Sequence, residues 1–218
     1  MNYLSFLLEP ENKYALAYFV VHTGVADTYN LLELAVSELL SCEKTESVVF
    51  RIFFIYGCQG TGKRHLSYGF ANKLISGGYS QDKIKLFELS LDKIEQEQKV
   101  SPIVAEYEKL RTSGGLLIVY SQMLPEQVTQ NPHLKSRLLA GNVCRLGLPK
   151  TEELEPLIKS LAERKNLNLS DKSVKMIVES LPLSTLSFDN ILDKLNVVAL
   201  ASGKNPGERL LRKIFNNF

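Results

Sequence analysis

The sequence predicts an α/β fold: a parallel sheet with helices on both faces, built around a phosphate-binding loop and followed by a small all-helical domain. Three observations predict it. The run Gly57-Cys58-Gln59-Gly60-Thr61-Gly62-Lys63 stands between a nearly unbroken apolar stretch and a helical stripe. Further short apolar runs alternate with helix-like segments, the pattern of a parallel, doubly wound sheet. Beyond Pro149 only helical periodicity remains.

In chain order, residues 14–21 read as a strand or a packed loop. Residues 28–40 carry Leu31, Leu34, Ala35, Val36, Leu39 and Leu40 at helical spacing. Residues 48–56 are β-branched and aromatic almost throughout, as in a central strand covered on both faces. After the loop, Leu66, Phe70 and Leu74 mark a helix over 63–75 that Gly77-Gly78 ends. Residues 84–89 predict a second strand. The charged segment 90–110 is helical in character and interrupted by Pro102. Residues 116–120 and 143–148 predict two more strands. Thr151 is a candidate cap with Glu152 and Glu153 in the first turn, and Ser170 caps the next helix. A third helix spans 185–201, and Asn205-Pro206 opens a terminal one. The expected domains are an α/β base over 1–149 and a helical domain over 150–218.

Composition narrows the function classes. A net charge of +2 argues for neither nucleic acid nor an anionic membrane on its own. The cysteines Cys42, Cys58 and Cys144 are scattered and no histidines cluster, which speaks against a disulfide framework or a zinc site. The start lacks a basic region and its apolar run is cut by Glu9, unlike a signal peptide. No stretch of about 18 apolar residues indicates a membrane span. The cytoplasm is the expected compartment.

The loop carries the chemistry. Its glycines let backbone N–H groups line a concavity for phosphate oxygens, and the helix start adds its positive dipole end. Lys63 is placed to reach the β- and γ-phosphates. The next position departs from the pattern: Arg64 stands where Ser or Thr holds Mg²⁺. It either points inward and repels a cation or points away with its stem on the surface; both remove the usual metal ligand. Hydrolysis also needs an apolar strand ending in carboxylates, and residues 116–120 are followed by Ser121-Gln122. Binding of ADP or ATP without efficient turnover is the expectation, with Mg²⁺ in doubt. The rival reading, a working ATPase, takes its acid from Glu88, Asp92 or Glu106. Another rival is a nucleotide-free scaffold. Cys58 fills a variable position or is a redox-sensitive thiol. His65 and His133 have no nucleophile beside them in sequence and are not read as catalytic.

Four stretches together resemble the DnaA family of AAA+ proteins, and within it the short Hda-like branch. Tyr18-Phe19-Val20-Val21-His22-Thr23-Gly24 looks like the family's opening segment. Gly60-Thr61-Gly62-Lys63-Arg64-His65-Leu66 is similar to its loop, including the histidine and leucine after the variable position. Pro132-His133-Leu134-Lys135-Ser136-Arg137-Leu138 resembles its D-L-R-S-R-L segment, and Leu146-Gly147-Leu148-Pro149 leads into the helical lid.

The resemblance implies an AAA+ base with a lid, the loop residues Gly57 to His65 as nucleotide ligands, and Ser121 or Gln122 at the sensor position. It implies that Arg137 is an arginine finger reaching a neighbour's nucleotide; the alternative is a pair with a carboxylate at the sheet edge. It implies a regulator of replication initiation whose partners are a DnaA-like initiator or the sliding clamp, with a helicase loader as the alternative. A homo-oligomer is possible on this scaffold. The segment Tyr3-Leu4-Ser5-Phe6-Leu7-Leu8 resembles the branch's clamp-binding peptide, with Leu4, Phe6 and Leu7 as anchors. Sequence-specific DNA binding is not expected. Two departures stand out: the acidic pair is absent, and residues 166–208 contain no arginine to touch phosphates from the lid.

Overall fold

The apolar run before the loop forms β1 (Phe50–Tyr56), whose Ile52, Phe53, Phe54 and Ile55 are all buried. In the computed structural model, the chain is described over residues 14–45, 47–89, 93–181, 185–202 and 208–215. β2 (Ile84–Leu89), β3 (Gly115–Ser121) and β4 (Asn142–Arg145) join β1 in a parallel sheet of order β2-β3-β1-β4. Every residue of β3 is buried, which explains why this run is apolar without alternation.

Successive side chains of β1 point to opposite faces and so divide two cores. Phe53 and Ile55 pack with Leu32, Val36 and Leu39 of α1 (Ala26–Thr45) and with Leu66, Phe70 and Leu74 of α2 (Lys63–Ser76). Ile52 and Phe54 pack on the other face with Ile103 and Leu110 of α3 (Lys93–Ser113). Val128 of α4 (Pro125–Val128) and Leu134 and Leu138 of α5 (Pro132–Leu139) complete that layer. Each fully buried side chain of this kind stabilises by about 1.5–3 kcal/mol.

Three expectations change, and of the two readings of residues 14–21 the packed one holds. The helix α3 runs through Pro102 without interruption; Ile103 and Leu110, both buried, hold it on the sheet although one backbone bond is lost. Residues 14–21 are not a strand: Leu16–Tyr18 makes a 3₁₀ turn within a packed segment. The last strand is shorter than 143–148: it ends at Arg145, although the Leu146 N–H still donates to Tyr56 O of β1 at 2.7 Å. Thr151 does not cap its helix. It is the first residue of α6 (Thr151–Arg164), preceded by Lys150, whose N–H donates to Glu153 Oε2 at 2.8 Å. Between α2 and β3 the described chain forms one strand, β2, which pairs directly with β3.

Contacts divide the described residues into two compact units. One comprises 14–19, 25–58 and 62–146; the other comprises 20–24, 59–61 and the chain from 147 onward. The second unit is helical: α6, α7 (Asp171–Ser180), α8 (Thr185–Ser202) and α9 (Glu208–Phe215). Its core gathers Leu154, Ile158, Val174, Ile177, Phe188, Leu192 and Leu211. Ser170 caps α7 as its sequence predicts, accepting from the Ser173 N–H at 3.2 Å. Asn205-Pro206 lies outside the described residues.

Candidate functional site

The loop follows β1 directly and ends at the first turn of α2. Gly62 is the residue before the helix, with φ +86, and its carbonyl accepts the first helical bond, from Leu66 N–H at 2.8 Å. A Cβ here would meet Phe19 Cε2 at 2.8 Å, so both conformation and space demand glycine. Gly60 also takes a left-handed φ, +78. Within the loop Thr61 is buried, while Cys58 and Gln59 are exposed.

Lys63 is buried, and its side chain curls back on the loop. Nζ donates to Gly57 O and to Cys58 O, each at 2.7 Å. Burial pushes the ammonium below its ordinary value, and the nearby Cys58 and Glu88 pull it back up. The cradle and lysine therefore fit a phosphate group: a donor-lined turn with a cation already desolvated at its base. His65 serves structure. Its Nε2 lies 3.0 Å from Ala15 O, and its ring meets Tyr14 and Phe19 edge-on.

Arg64 is exposed and its guanidinium lies over two rings, 5.7 Å from the Tyr14 centroid and 5.5 Å from that of Tyr68. Near the end of β3, Tyr120 has its hydroxyl pushed far up by burial first, then by Glu88, while Arg64 acts in the opposite sense. Tyr120 Oη donates to Glu88 Oε2 across a long 3.5 Å. These residues offer few ligands to a divalent cation. Arg64 supplies positive charge instead of a hydroxyl, and among the described residues no group of three or more His, Cys, Asp or Glu could hold a metal ion.

The other predicted residues are dispersed. Ser121 is buried and engaged: Oγ donates to Leu89 O at 2.9 Å and accepts from the Met123 N–H at 3.3 Å, tying β3 to the end of β2. Gln122 is exposed. Arg137 sits on α5, on the face of the sheet opposite α2. Its Nε and Nη2 donate to Glu108 Oε1 at 2.9 and 2.6 Å, and its guanidinium stacks on Tyr107 at 5.5 Å. With Arg111 and Ser136 these residues line a shallow cavity of about 350 Å³. Of the rival acids, Glu88 belongs to the Lys63 neighbourhood, Glu106 lies on α3 on the far face, and Asp92 is outside the described residues. Leu4, Phe6 and Leu7 are outside them as well.

In the helical unit, His22 is buried and its Nδ1 accepts from the Gly24 N–H at 3.2 Å. The Thr23 N–H and hydroxyl donate to Glu153 at 2.7 and 2.9 Å. Tyr68 stands four residues after Arg64, a spacing that brings helical side chains together and could have been read in advance. Glu108, the partner of Arg137, had no such signal.

A parallel sheet with a glycine–lysine loop between β1 and α2 and helices on both faces makes an α/β fold that several solved structures share. Domain III of the Thermotoga maritima replication initiation protein DnaA matches it with a TM-score of 0.80 at 16% identity, over 96% of this chain and 98% of that one. A replication initiator DnaA bound to AMPPCP and single-stranded DNA matches with a TM-score of 0.70 at 19% identity, over 88% of this chain and 66% of that one. The Holliday junction branch migration motor RuvB of Thermotoga maritima matches with a TM-score of 0.61 at 14% identity, over 94% and 71%. In sequence, an uncharacterized protein of Haemophilus influenzae is 23% identical over 187 residues, 75% of this chain and 81% of that protein. No protein-family model matches the chain. No helix of the described residues is long and apolar enough to cross a membrane.

Proposed function

We propose that this protein is a DnaA/Hda-like regulator of chromosomal replication initiation that holds ADP or ATP with little hydrolysis and acts through protein contacts. The observation that carries the reading is a complete glycine–lysine cradle on a DnaA-type fold with Arg64 at the metal-binding position. Ser121-Gln122 at the end of β3 supports it, because neither residue is the carboxylate that hydrolysis on this scaffold needs. DnaA neighbours carry AMPPCP, which makes an adenine nucleotide the ligand of choice. The partners of this reading are a DnaA-like initiator and the sliding clamp, the latter through Leu4, Phe6 and Leu7. Arg137 acts in trans on the initiator's nucleotide. In this reading residues 150–218 serve as the lid, and the protein works in the cytoplasm, alone or as a homo-oligomer.

Calorimetric titration with ADP and ATP tests the ligand, and steady ATP turnover would overturn the low-hydrolysis reading. Co-precipitation against initiator, clamp and replicative helicase tests the partner; capture of the helicase alone would favour a loader.

One observation favours a second reading, a working ATPase. Glu88 stands at the end of β2 and its charge reaches Lys63. Turnover abolished by Glu88→Gln would establish it.

A further inference from the structure

We propose that the cleft between α3 and α5 is a docking site for an acidic side chain of a partner protein, received by Arg111 and Tyr107. The inference goes beyond the reading of Arg137 above. That reading concerns a phosphate, this one a carboxylate, and it does not depend on a nucleotide in the loop.

The cleft already holds one carboxylate, its own. Arg137 donates from Nε and Nη2 to a single oxygen of Glu108, Oε1, at 2.9 and 2.6 Å. The other oxygen, Oε2, accepts from Arg111 Nε at 3.2 Å. Two arginines therefore share one acid, and one positive charge is left over. Geometry assigns the surplus to Arg111. Its side chain is 62% exposed, against 24% for Arg137. Only its Nε is engaged, and Nη1 and Nη2 have no partner among the described residues.

The walls are set before any partner arrives. Arg137 Nη1 donates to His133 O at 2.8 Å, which fixes the guanidinium on α5. The same group lies 5.5 Å from the Tyr107 ring centroid, and the Phe50 ring meets Tyr107 at 5.2 Å, nearly perpendicular. The Tyr107 ring is thus held by two neighbours, while its hydroxyl hydrogen-bonds to none of the described residues. Tyr107, Arg111 and Ser136 line the cavity of about 350 Å³ together with the Glu108–Arg137 pair. An incoming group meets a cation with two unused nitrogens and a hydroxyl donor on a restrained ring, so less freedom is lost on binding.

These donors suit a carboxylate. A guanidinium edge takes two carboxylate oxygens side by side. The single negative charge of Asp or Glu matches the surplus, whereas a phosphate dianion exceeds it and meets twice the repulsion from Glu108. The cavity is shallow and its arginine rim is exposed, so a side chain projecting from a protein surface can reach it. Complementary charges of this kind fix the register of docking more than its strength.

The test is titration of the full chain with a capped tetraglutamate peptide, followed by nitrogen-15 NMR. The Arg111 Nε–H, identified by its loss in Arg111→Gln, and the Tyr107 amide should shift saturably, with a dissociation constant on the order of 1 mM. A tetraglutamine peptide should move neither. Arg111→Gln should weaken binding read at Tyr107 by about tenfold or more. Lys109→Gln removes the same charge from an exposed position of α3 outside the cavity and should change the constant by less than about twofold. Glu108→Gln removes the competing acid and should tighten binding by about threefold. The absence of a saturable shift in the unaltered protein overturns the inference. Equal weakening by Lys109→Gln and Arg111→Gln also overturns it, since net charge alone would then explain the binding. Inorganic phosphate that saturates the same signals more tightly than the peptide overturns the assignment to a carboxylate. The titration of the unaltered protein stands whether or not a variant folds.

Discussion

Arg137 is bound by Glu108 of its own chain, with Nη2 at 2.6 Å and Nε at 2.9 Å from Oε1. The same carboxylate is 3.2 Å from Arg111 Nε. An arginine that is to reach a neighbour's nucleotide must first leave this carboxylate, so the pair sets how readily Arg137 becomes available.

The first prediction follows. In an assay of ATP hydrolysis by a DnaA-like initiator, Arg137→Ala should lose the stimulation given by the wild-type protein, on the order of 10³-fold. Glu108→Gln should raise it. Stimulation that persists in Arg137→Ala would assign the side chain to holding α5 against α3.

Lys63→Met keeps the apolar stem and removes the ammonium that the Gly57 and Cys58 carbonyls accept from. ADP affinity measured by titration should fall by about tenfold or more, since a charged hydrogen-bond donor is lost. An unchanged constant would mean that phosphate binds elsewhere.

Stability should fall in two steps on acidification. Burial holds the His22 imidazole below its ordinary value of 6.5, against the pull of Glu153. The unfolded chain thus binds this proton more readily, and stability present above pH 6.5 is lost as pH falls toward the folded value. Hydrogen bonds from the Lys150 and Thr23 backbones hold the Glu153 carboxyl below its ordinary 4.5. Its contribution is present above that pH and lost below it. Denaturant unfolding across pH 7.5 to 3 is the measurement. His22→Gln should flatten the upper step and Glu153→Gln the lower.

Two glycines separate crowding from backbone conformation. At Gly141 a Cβ would lie 2.6 Å from Ile52 O and against Ile52 Cγ2, so Gly141→Ala should cost about 1–3 kcal/mol. At Gly78 nothing lies within 4 Å but φ is +90, so Gly78→Ala should cost about 1–2 kcal/mol. Urea midpoints of the two variants check both values.

The architecture was legible wherever one strong local pattern decided it. The apolar run 48–56 before a glycine–lysine loop leaves little besides a buried strand and a helix start, and both are present as β1 and α2. Boundaries were less legible because packing with distant partners sets them: β4 ends at Arg145, short of the apolar run's end at Leu148. Pro102 misled for the same reason, since the burial of Ile103 and Leu110 outweighs one missing bond. At the site, Lys63 and Arg64 were named by spacing alone. Their company was not. Tyr14 comes from a segment with no periodicity, and Tyr120 and Glu88 come from two strands whose adjacency only the sheet order reveals.

The sheet order bears on how the protein is made. β1, the strand that carries the loop, has β3 and β4 as its neighbours, and both emerge later in the chain. Phe50 meets Gly115 only after α2, β2 and α3 have been synthesised. Until then both edges of a strand containing Phe53, Phe54 and Ile55 are unpaired, a template for association with other nascent chains. The closure needed is long-range, and such pairings are slow to form. The strand that carries the loop therefore gains both its neighbours only once β3 and β4 have emerged.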